Sequence, residues 1–222
     1  MRCILVYGLE SSGTSCVAGI LHLLGVHMGD KLRGASETNL KGYFEDVTFF
    51  HRLDDFCSRD RWEKSAREWI QSRVDQNQEI WGLKCSLLKI IGEKILRVFK
   101  QYFPDIEIKI IYVTRDVANI VKSQARKRLT GKKLTEEEYE KEFKRIQCNV
   151  ISSQIRLANL IEQLKLKYKI MTVDYDFVIS QTTKAVEQLG DFCFMGGYEV
   201  LVKKEGIKQA MEFVEPGMRR FA

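Results

Sequence analysis

The sequence lacks the features that mark membrane-spanning and secreted proteins. No apolar run in its 222 residues reaches the roughly 18 residues that would indicate a membrane-spanning helix. The amino terminus passes directly into strand-like residues, without the apolar stretch and cleavage site of a signal peptide. We therefore expect a soluble, cytoplasmic protein with no membrane span.

Cysteine and proline are both scarce and scattered. The six cysteines form no CxxC pair, which argues against a zinc site and against a disulfide framework. We expect reduced, mostly buried thiols and no bound metal. The two prolines, Pro104 and Pro216, are not accompanied by any glycine- and serine-rich linker. The chain should fold as a single domain over residues 1–222, with a helical segment at about 130–165.

The charge is only mildly basic. The formal net charge is +6 and the isoelectric point is near 8.9, which favours an anionic ligand. The lysines and arginines do not form the clustered basic face that is typical of nucleic-acid-binding proteins. We therefore expect no nucleic-acid partner.

Apolar periodicity predicts an alternation of strands and helices. Short, β-branched apolar runs predict strands at 2–7, 80–84, 107–114 and 169–173. Helical spacing predicts helices at 14–24, 46–57, 62–76, 87–102, 116–129, 135–165 and 180–194. Thr135 and Glu138 have the spacing of a capping box. This order predicts a three-layer α/β/α sandwich with a mostly parallel central sheet, similar to P-loop NTPases.

The turn between the first strand and the first helix has the composition of an anion-binding loop. Gly8 and Gly13 allow the backbone to curl, so that successive N–H groups point inward. The hydroxyls of Ser12, Thr14 and Ser15 add donors, and the following helix adds its positive dipole end. The alternative is an ordinary strand-to-helix turn with several capping residues.

The spacing of this loop matches the Walker A pattern GxxxxGK[ST] except at one position. Thr14 stands where that pattern has its lysine. Without the lysine, the loop has no cation to bind the β- and γ-phosphates of ATP or GTP. A small-molecule kinase therefore remains only the second hypothesis.

A further motif follows the strand at 107–114, and with the loop it resembles the P-loop sulfotransferases. In that family the loop reads [KR]-S-G-T-[ST], where this chain has residues 11–15, Ser-Ser-Gly-Thr-Ser. A later strand leads into Arg-Asp-Pro with a serine eight positions after the arginine, and here Arg115 is followed by Asp116 and Ser123. Four further stretches, at 24–29, 39–46, 81–84 and 216–220, resemble bacterial sulfotransferase-like proteins.

The resemblance implies a sulfuryl donor, 3′-phosphoadenosine 5′-phosphosulfate (PAPS), and residues to bind it. The loop residues implied to hold the 5′-phosphosulfate are Ser11, Ser12, Gly13, Thr14 and Ser15. Arg115 and Ser123 are implied to hold the 3′-phosphate. The acceptor would be a hydroxyl or amine of a small molecule or glycan.

Two departures from the family concern catalysis. Ser11 replaces the lysine or arginine that touches the bridging oxygen, and Lys84-Cys85-Ser86 replaces the K-T-H of the cytosolic enzymes or the K-D-P-R of bacterial relatives. Lys84 is the candidate cation for the sulfuryl oxygens. Glu45 is the candidate general base. Each has the alternative of a solvated side chain.

Other polar residues are weaker candidates. His27 and His51 are alternative bases, and arginines at 126, 128, 219 and 220 are candidates for enriching the donor pocket in positive charge. Ser11 also favours another hypothesis, a nucleotide-binding protein of the same fold without turnover.

Overall fold

Four parallel strands form the centre of the molecule. The computed structural model describes residues 1–37, 39–51, 59–84, 88–194 and 204–214. Its strands are β1 (Arg2–Gly8), β2 (Ile80–Lys84), β3 (Glu107–Thr114) and β4 (Lys169–Asp174), in the spatial order β2-β1-β3-β4. All three pairings are parallel, which confirms the predicted sheet.

Helices account for most of the remaining described residues. They are α1 (Thr14–Leu23), α2 (Val47–His51), α3 (Arg59–Asp75), α4 (Leu88–Tyr102), α5 (Val117–Leu129), α6 (Glu136–Lys165), α7 (Tyr175–Ser180), α8 (Thr182–Phe194) and α9 (Lys204–Phe213). The predicted capping box is present at the start of α6. The predicted helix at 46–57 is α2 as far as residue 51, and 52–57 lie outside the described residues. The sequence prediction missed α7 and α9.

Alternate residues of the strands pack into two cores, one on each face of the sheet. Cys3, Leu5 and Tyr7 of β1 face a core shared with α3, α4, α5 and α6. Ile4 and Val6 face the other core, with α1, α7, α8 and α9. Alternate side chains of β1 therefore point to opposite faces of the sheet, and helices cover both faces. This arrangement confirms the predicted three-layer α/β/α fold.

The register of the strands brings their carboxyl ends to one edge of the sheet. Val6 lies beside Lys84, and Gly8 lies beside Val113. The chain leaves β1 towards β2 on one side, and β3 lies on the other side of β1. Ligands of open α/β sheets bind outside the carboxyl ends of the strands at such a switch point.

A buried ion pair fastens the segment after α1 to the body of the protein. Asp46 is fully buried and accepts hydrogen bonds from Arg73 and from Trp69 Nε1, the latter at 3.1 Å. It also accepts from the Thr48 amide at 2.8 Å. These bonds hold the end of the segment 29–46 against α3. The residues just before Asp46 are thereby positioned beside the carboxyl ends of β1 and β2.

Removal of the Asp46 carboxylate should destabilise the fold strongly. Asp46→Ala leaves the buried Arg73 guanidinium without this partner, and we expect the free energy of unfolding to fall by about 3–5 kcal/mol. Urea denaturation followed by circular dichroism measures it. Asp75→Ala is the control. Asp75 is exposed at the end of α3, the helix that contains Arg73, and its removal should change the free energy of unfolding by no more than about 0.5 kcal/mol. Equal stabilities of the two variants would contradict the anchoring role of Asp46.

Candidate functional site

The turn between β1 and α1 contains two residues in the left-handed backbone region. Ser11 and Gly13 have positive φ values, 71° and 97°. Gly13 also tolerates no side chain, because an added Cβ would lie 2.1 Å from Tyr175 Cδ2. Helix α1 begins directly after Gly13, and its first turn has neither a side-chain cap nor an acidic residue. An uncapped helix N-terminus of this kind suits an anion.

A cavity of about 400 Å³ opens in front of this turn, at the carboxyl ends of the strands. Its walls come from the loop after β1, the segment 39–45, the end of β2, the beginning and face of α5, and α7 and α9. Of the described residues, five basic side chains line it: Arg33, Lys41, Lys84, Arg115 and Lys127. The lining acidic residues are Glu10 and Glu45. The excess of basic over acidic side chains favours an anionic occupant.

The structure brings together nearly all the site residues that the sequence predicts. The predicted residues that line the cavity are Ser11, Gly13, Thr14, Ser15, Glu45, Lys84, Arg115 and Ser123. They come from four separate parts of the chain. Because they share one cavity, a single ligand is able to contact all of these parts.

Ser12 is the exception among the predicted loop residues. Its side chain is buried, does not line the cavity, and has no hydrogen-bond partner within the described ranges. An added Cβ on Gly8 would lie 2.6 Å from Ser12 Oγ, so this hydroxyl lies close to the end of β1. The Ser12 amide donates to the Leu9 carbonyl at 3.1 Å. In this conformation Ser12 supports the turn, whereas Thr14 and Ser15 face the cavity.

Arg115 connects the end of β3 to the loop. Its Nη1 donates to the Ser11 carbonyl at 3.1 Å, and its guanidinium lies 4.9 Å from the centre of the Tyr175 ring. Its Nε is buried, with no hydrogen-bond partner in the part of the chain that the structure describes. Asp116 caps α5 by accepting from the Asn119 amide at 3.0 Å. Arg115 therefore presents a fixed cation at the loop while Asp116 is occupied with the helix.

Lys84 and Glu45 form a buried ion pair in the wall of the cavity. Lys84 Nζ donates to Glu45 Oε1 at 2.8 Å and to Ser15 Oγ at 3.2 Å. Only 4% of Lys84 and 2% of Glu45 are exposed. Arg33 Nη1 lies 3.5 Å from Glu45 Oε2. The alternative that these two residues are solvated is therefore wrong, because each is desolvated and placed against an opposite charge.

Sequence reasoning missed several residues that line the cavity. Lys127 of α5 donates to Ser11 Oγ at 3.2 Å. The Arg33 guanidinium lies 4.2 Å from the centre of the Tyr43 ring. Lys41 donates to the Phe213 carbonyl, which ties α9 to the rim of the cavity. The spacing of Lys127 from Ser123, four residues along one helix, was the one signal that could have identified Lys127.

The weaker candidates lie elsewhere or outside the described residues. His27 Nε2 is 3.1 Å from Asp30 Oδ1, near Arg73, and does not line the cavity. Arg128 contacts Glu10 at 3.2 Å, and Arg126 is exposed on α5. The side chain of His51, both terminal arginines and residues 85–86 lie outside the described part of the chain.

The thiols fit the prediction made from the scattered cysteines. Of the four cysteines that the structure describes, Cys3, Cys16 and Cys193 are buried and Cys148 is exposed, and all four are free. Burial raises the pKa of the Cys16 thiol to about 12. Cys16 lines the cavity, but a thiol with this pKa is protonated at neutral pH and is not an activated nucleophile.

Two features are absent from the described residues. They contain no group of three or more His, Cys, Asp or Glu side chains arranged to hold a metal ion. None of the helices within the described ranges is both long and apolar enough to cross a membrane.

Comparison with known proteins finds a matching family model and similar structures. A model of the sulfotransferase domain matches residues 2–196. Sulfotransferase STF1 from Mycobacterium tuberculosis H37Rv has a similar structure, with a TM-score of 0.55 and 16% identity, over 95% of this chain and 70% of that chain. The unliganded structure of a sugar kinase from Janibacter sp. HTCC2649 matches 98% of this chain and 97% of that chain at 17% identity, with a TM-score of 0.42. No curated protein sequence matches this chain.

Removal of the Glu45 carboxylate should destabilise the protein, because the Lys84 ammonium would stay buried. Glu45→Leu leaves the Lys84 ammonium desolvated without its counter-ion, and we expect a loss of about 3–5 kcal/mol in the free energy of unfolding. The double variant Lys84→Met/Glu45→Leu removes both charges and should recover most of this loss. Chemical denaturation measures all three proteins, with Glu37→Leu, at an exposed position of the same segment, as the control. A double variant no more stable than Glu45→Leu would contradict the pairing.

Proposed function

Because this chain belongs to the sulfotransferase domain family, we propose that it transfers a sulfuryl group from PAPS to a hydroxyl or amine of a small-molecule or glycan acceptor. The observation that carries the proposal is the convergence of the loop after β1, Arg115, Ser123 and Lys84 on one cavity. The loop supplies amide donors and a helix N-terminus. Lys84 and Arg115 supply hydrogen-bond donors at the ends of β2 and β3, and Ser123 supplies one on α5.

The residues of the cavity fit the chemistry of PAPS. This donor carries a 5′-phosphosulfate and a 3′-phosphate, and both groups need hydrogen-bond donors and positive charge. In the proposal, the amides of the loop with Thr14 and Ser15 bind the 5′ end. Arg115 and Ser123 bind the 3′-phosphate. The buried, unpaired Nε of Arg115 is the kind of donor that an anionic ligand satisfies.

The transfer itself requires one bond to form as another breaks. The acceptor oxygen or nitrogen attacks sulfur, and the bond between sulfur and the bridging oxygen of the 5′-phosphate breaks, leaving its electron pair on that oxygen. Lys84 would hold the sulfuryl oxygens, because its Nζ lies 3.2 Å from Ser15 Oγ in the loop. Glu45 would take the proton from the acceptor. Positioning and electrostatic stabilisation would supply most of the catalysis, as in phosphoryl transfer.

The ion pair between Lys84 and Glu45 links the binding of the sulfuryl group by the lysine to the uptake of a proton by the glutamate. Lys84 Nζ donates to Glu45 Oε1 at 2.8 Å. A sulfuryl group beside Lys84 would compete for the ammonium, and Glu45 Oε1 would then be available to the acceptor. Arg33, 3.5 Å from the other oxygen of Glu45, would keep this carboxylate oriented.

Two alternatives make different predictions. A small-molecule kinase would need a loop lysine where this chain has Thr14. It would consume ATP in the presence of magnesium. A nucleotide-binding protein without turnover would bind 3′-phosphoadenosine 5′-phosphate (PAP), the product of the donor, but would not release it from PAPS with any acceptor.

Calorimetric titration with PAP tests the donor site. We expect binding by the wild-type protein, and Arg115→Ala should weaken it about 100-fold through the loss of charge-assisted hydrogen bonds to a phosphate. Ser123→Ala, which removes a neutral donor, should have a smaller effect. Arg97→Ala, at an exposed position of α4, is the control. Absence of PAP binding by the wild-type protein would refute the proposed function.

Glu45→Gln tests the proposed general base. The amide keeps a hydrogen-bond acceptor for Lys84 but takes up no proton, so we expect kcat to fall about 10²- to 10⁴-fold. PAP affinity should change little. Release of PAP from PAPS is measured with a panel of phenols, sugars and amines. A kcat equal to that of the wild-type protein would assign the base to another residue.

A further inference from the structure

The loop itself lacks a cation at the position where sulfuryl transfer most needs one. When the bond between sulfur and the bridging oxygen breaks, negative charge grows on the 5′-phosphate. Ser11, which the family pattern implies to lie beside this group, carries only a hydroxyl. If the chain has the proposed function, this charge has to be neutralised by a residue from outside the loop.

We propose that Lys127 of α5 supplies the missing cation and places its ammonium against the bridging oxygen. Lys127 Nζ donates to Ser11 Oγ at 3.2 Å, and Lys127 lines the same cavity as the loop. A cation distant in sequence thus meets the side chain at position 11. Ser11, having a short side chain, leaves room for it.

Helix α5 is fixed firmly enough to hold Lys127 in this place. Its preceding residue, Arg115, donates to the Ser11 carbonyl at 3.1 Å. In its middle, Gln124 Nε2 donates to the Glu10 carbonyl at 2.9 Å, and Gln124 is buried. Two successive carbonyls of the loop are therefore bonded to this one helix and its start. These two bonds set the position of α5 relative to the loop, and the Lys127 side chain is 29% exposed.

The charge around Lys127 keeps its ammonium at the loop without neutralising it completely. Lys127 Nζ is 4.0 Å from Glu10 Oε1, and Arg128 is closer to the same carboxylate, at 3.2 Å. Glu10 is therefore shared between two cations and is 46% exposed. A partly solvated carboxylate that is shared between two cations interacts only weakly with each of them. An incoming 5′-phosphosulfate would be the stronger partner for Lys127.

Ser123 and Lys127 are four residues apart and lie on one face of α5. Since Ser123 is assigned to the 3′-phosphate, that phosphate is the competing partner for Lys127. The direct contact with Ser11 favours the 5′ end. The two assignments are separated by ligands that carry one phosphate or both.

The test combines Lys127→Ala with a relocated lysine. In Lys127→Ala we expect the rate of PAP release from PAPS to fall about 100-fold, the effect of removing one preorganised charge from the reacting group. The double variant Ser11→Lys/Lys127→Ala should recover activity to within about tenfold of the wild type. Ser11 already carries a Cβ at a φ of 71°, so the exchange adds no new backbone strain. Lys122→Ala, at an exposed position of α5 outside the cavity, is the control.

Calorimetry provides a readout that does not depend on turnover. If the Lys127 ammonium contacts the 5′-phosphate, Lys127→Ala should lower the affinity for PAP and the affinity for adenosine 5′-monophosphate by the same factor. A loss of affinity for PAP alone, with no recovery by Ser11→Lys, would overturn the proposal and assign Lys127 to the 3′-phosphate.

The outcome also separates this inference from the proposed function. A wild-type protein that binds PAP and releases it from PAPS, with Lys127→Ala behaving like Lys122→Ala, would overturn only the role of Lys127. A wild-type protein that binds no PAP would refute the function itself. Thermal unfolding of each variant, and the charge-preserving Lys127→Arg, distinguish loss of the cation from loss of the fold.

Discussion

Hydrogen bonding between parallel strands places Lys84, Gly8 and Thr114 at the same edge of the sheet, and every part of the site is built on this edge. Because β1 lies between β2 and β3, the loop that follows Gly8 has a basic residue on either side of it. Lys84 ends β2 on one side, and Arg115 follows β3 on the other. A shift in the register of either pairing would move one of these cations away from the loop.

Two buried ion pairs, adjacent in sequence, complete this arrangement. Asp46 binds Arg73 in the body of the protein, and Glu45 binds Lys84 in the wall of the cavity. The Asp46 carboxylate holds the segment against α3, while the Glu45 carboxylate lies in the wall of the cavity. Buried pairs of this kind contribute little net stability but are costly to break. They make the position of Glu45 depend on the whole fold.

The distribution of positive charge distinguishes this chain from the pattern that its motifs resemble. The family resemblance is confirmed by the match over residues 2–196, yet the loop has Ser11 where the pattern has a basic residue. In the structure, Lys127 and Arg115 reach the loop from outside it. The loop is therefore surrounded by cations that belong to other elements. A motif search confined to the loop would count it as deficient in charge.

Local rules were enough to predict the strands, most helices, the capping box at Thr135 and the glycine-dependent turn, because each depends on residues close together in the chain. The depth of burial of Glu45, the burial of the Ser12 hydroxyl and the approach of Lys127 followed only from the tertiary structure. Glu45 meets a partner 39 residues away and Lys127 meets one 116 residues away. Contacts at such separations are decided by how helices pack on the sheet, and no local pattern encodes that packing.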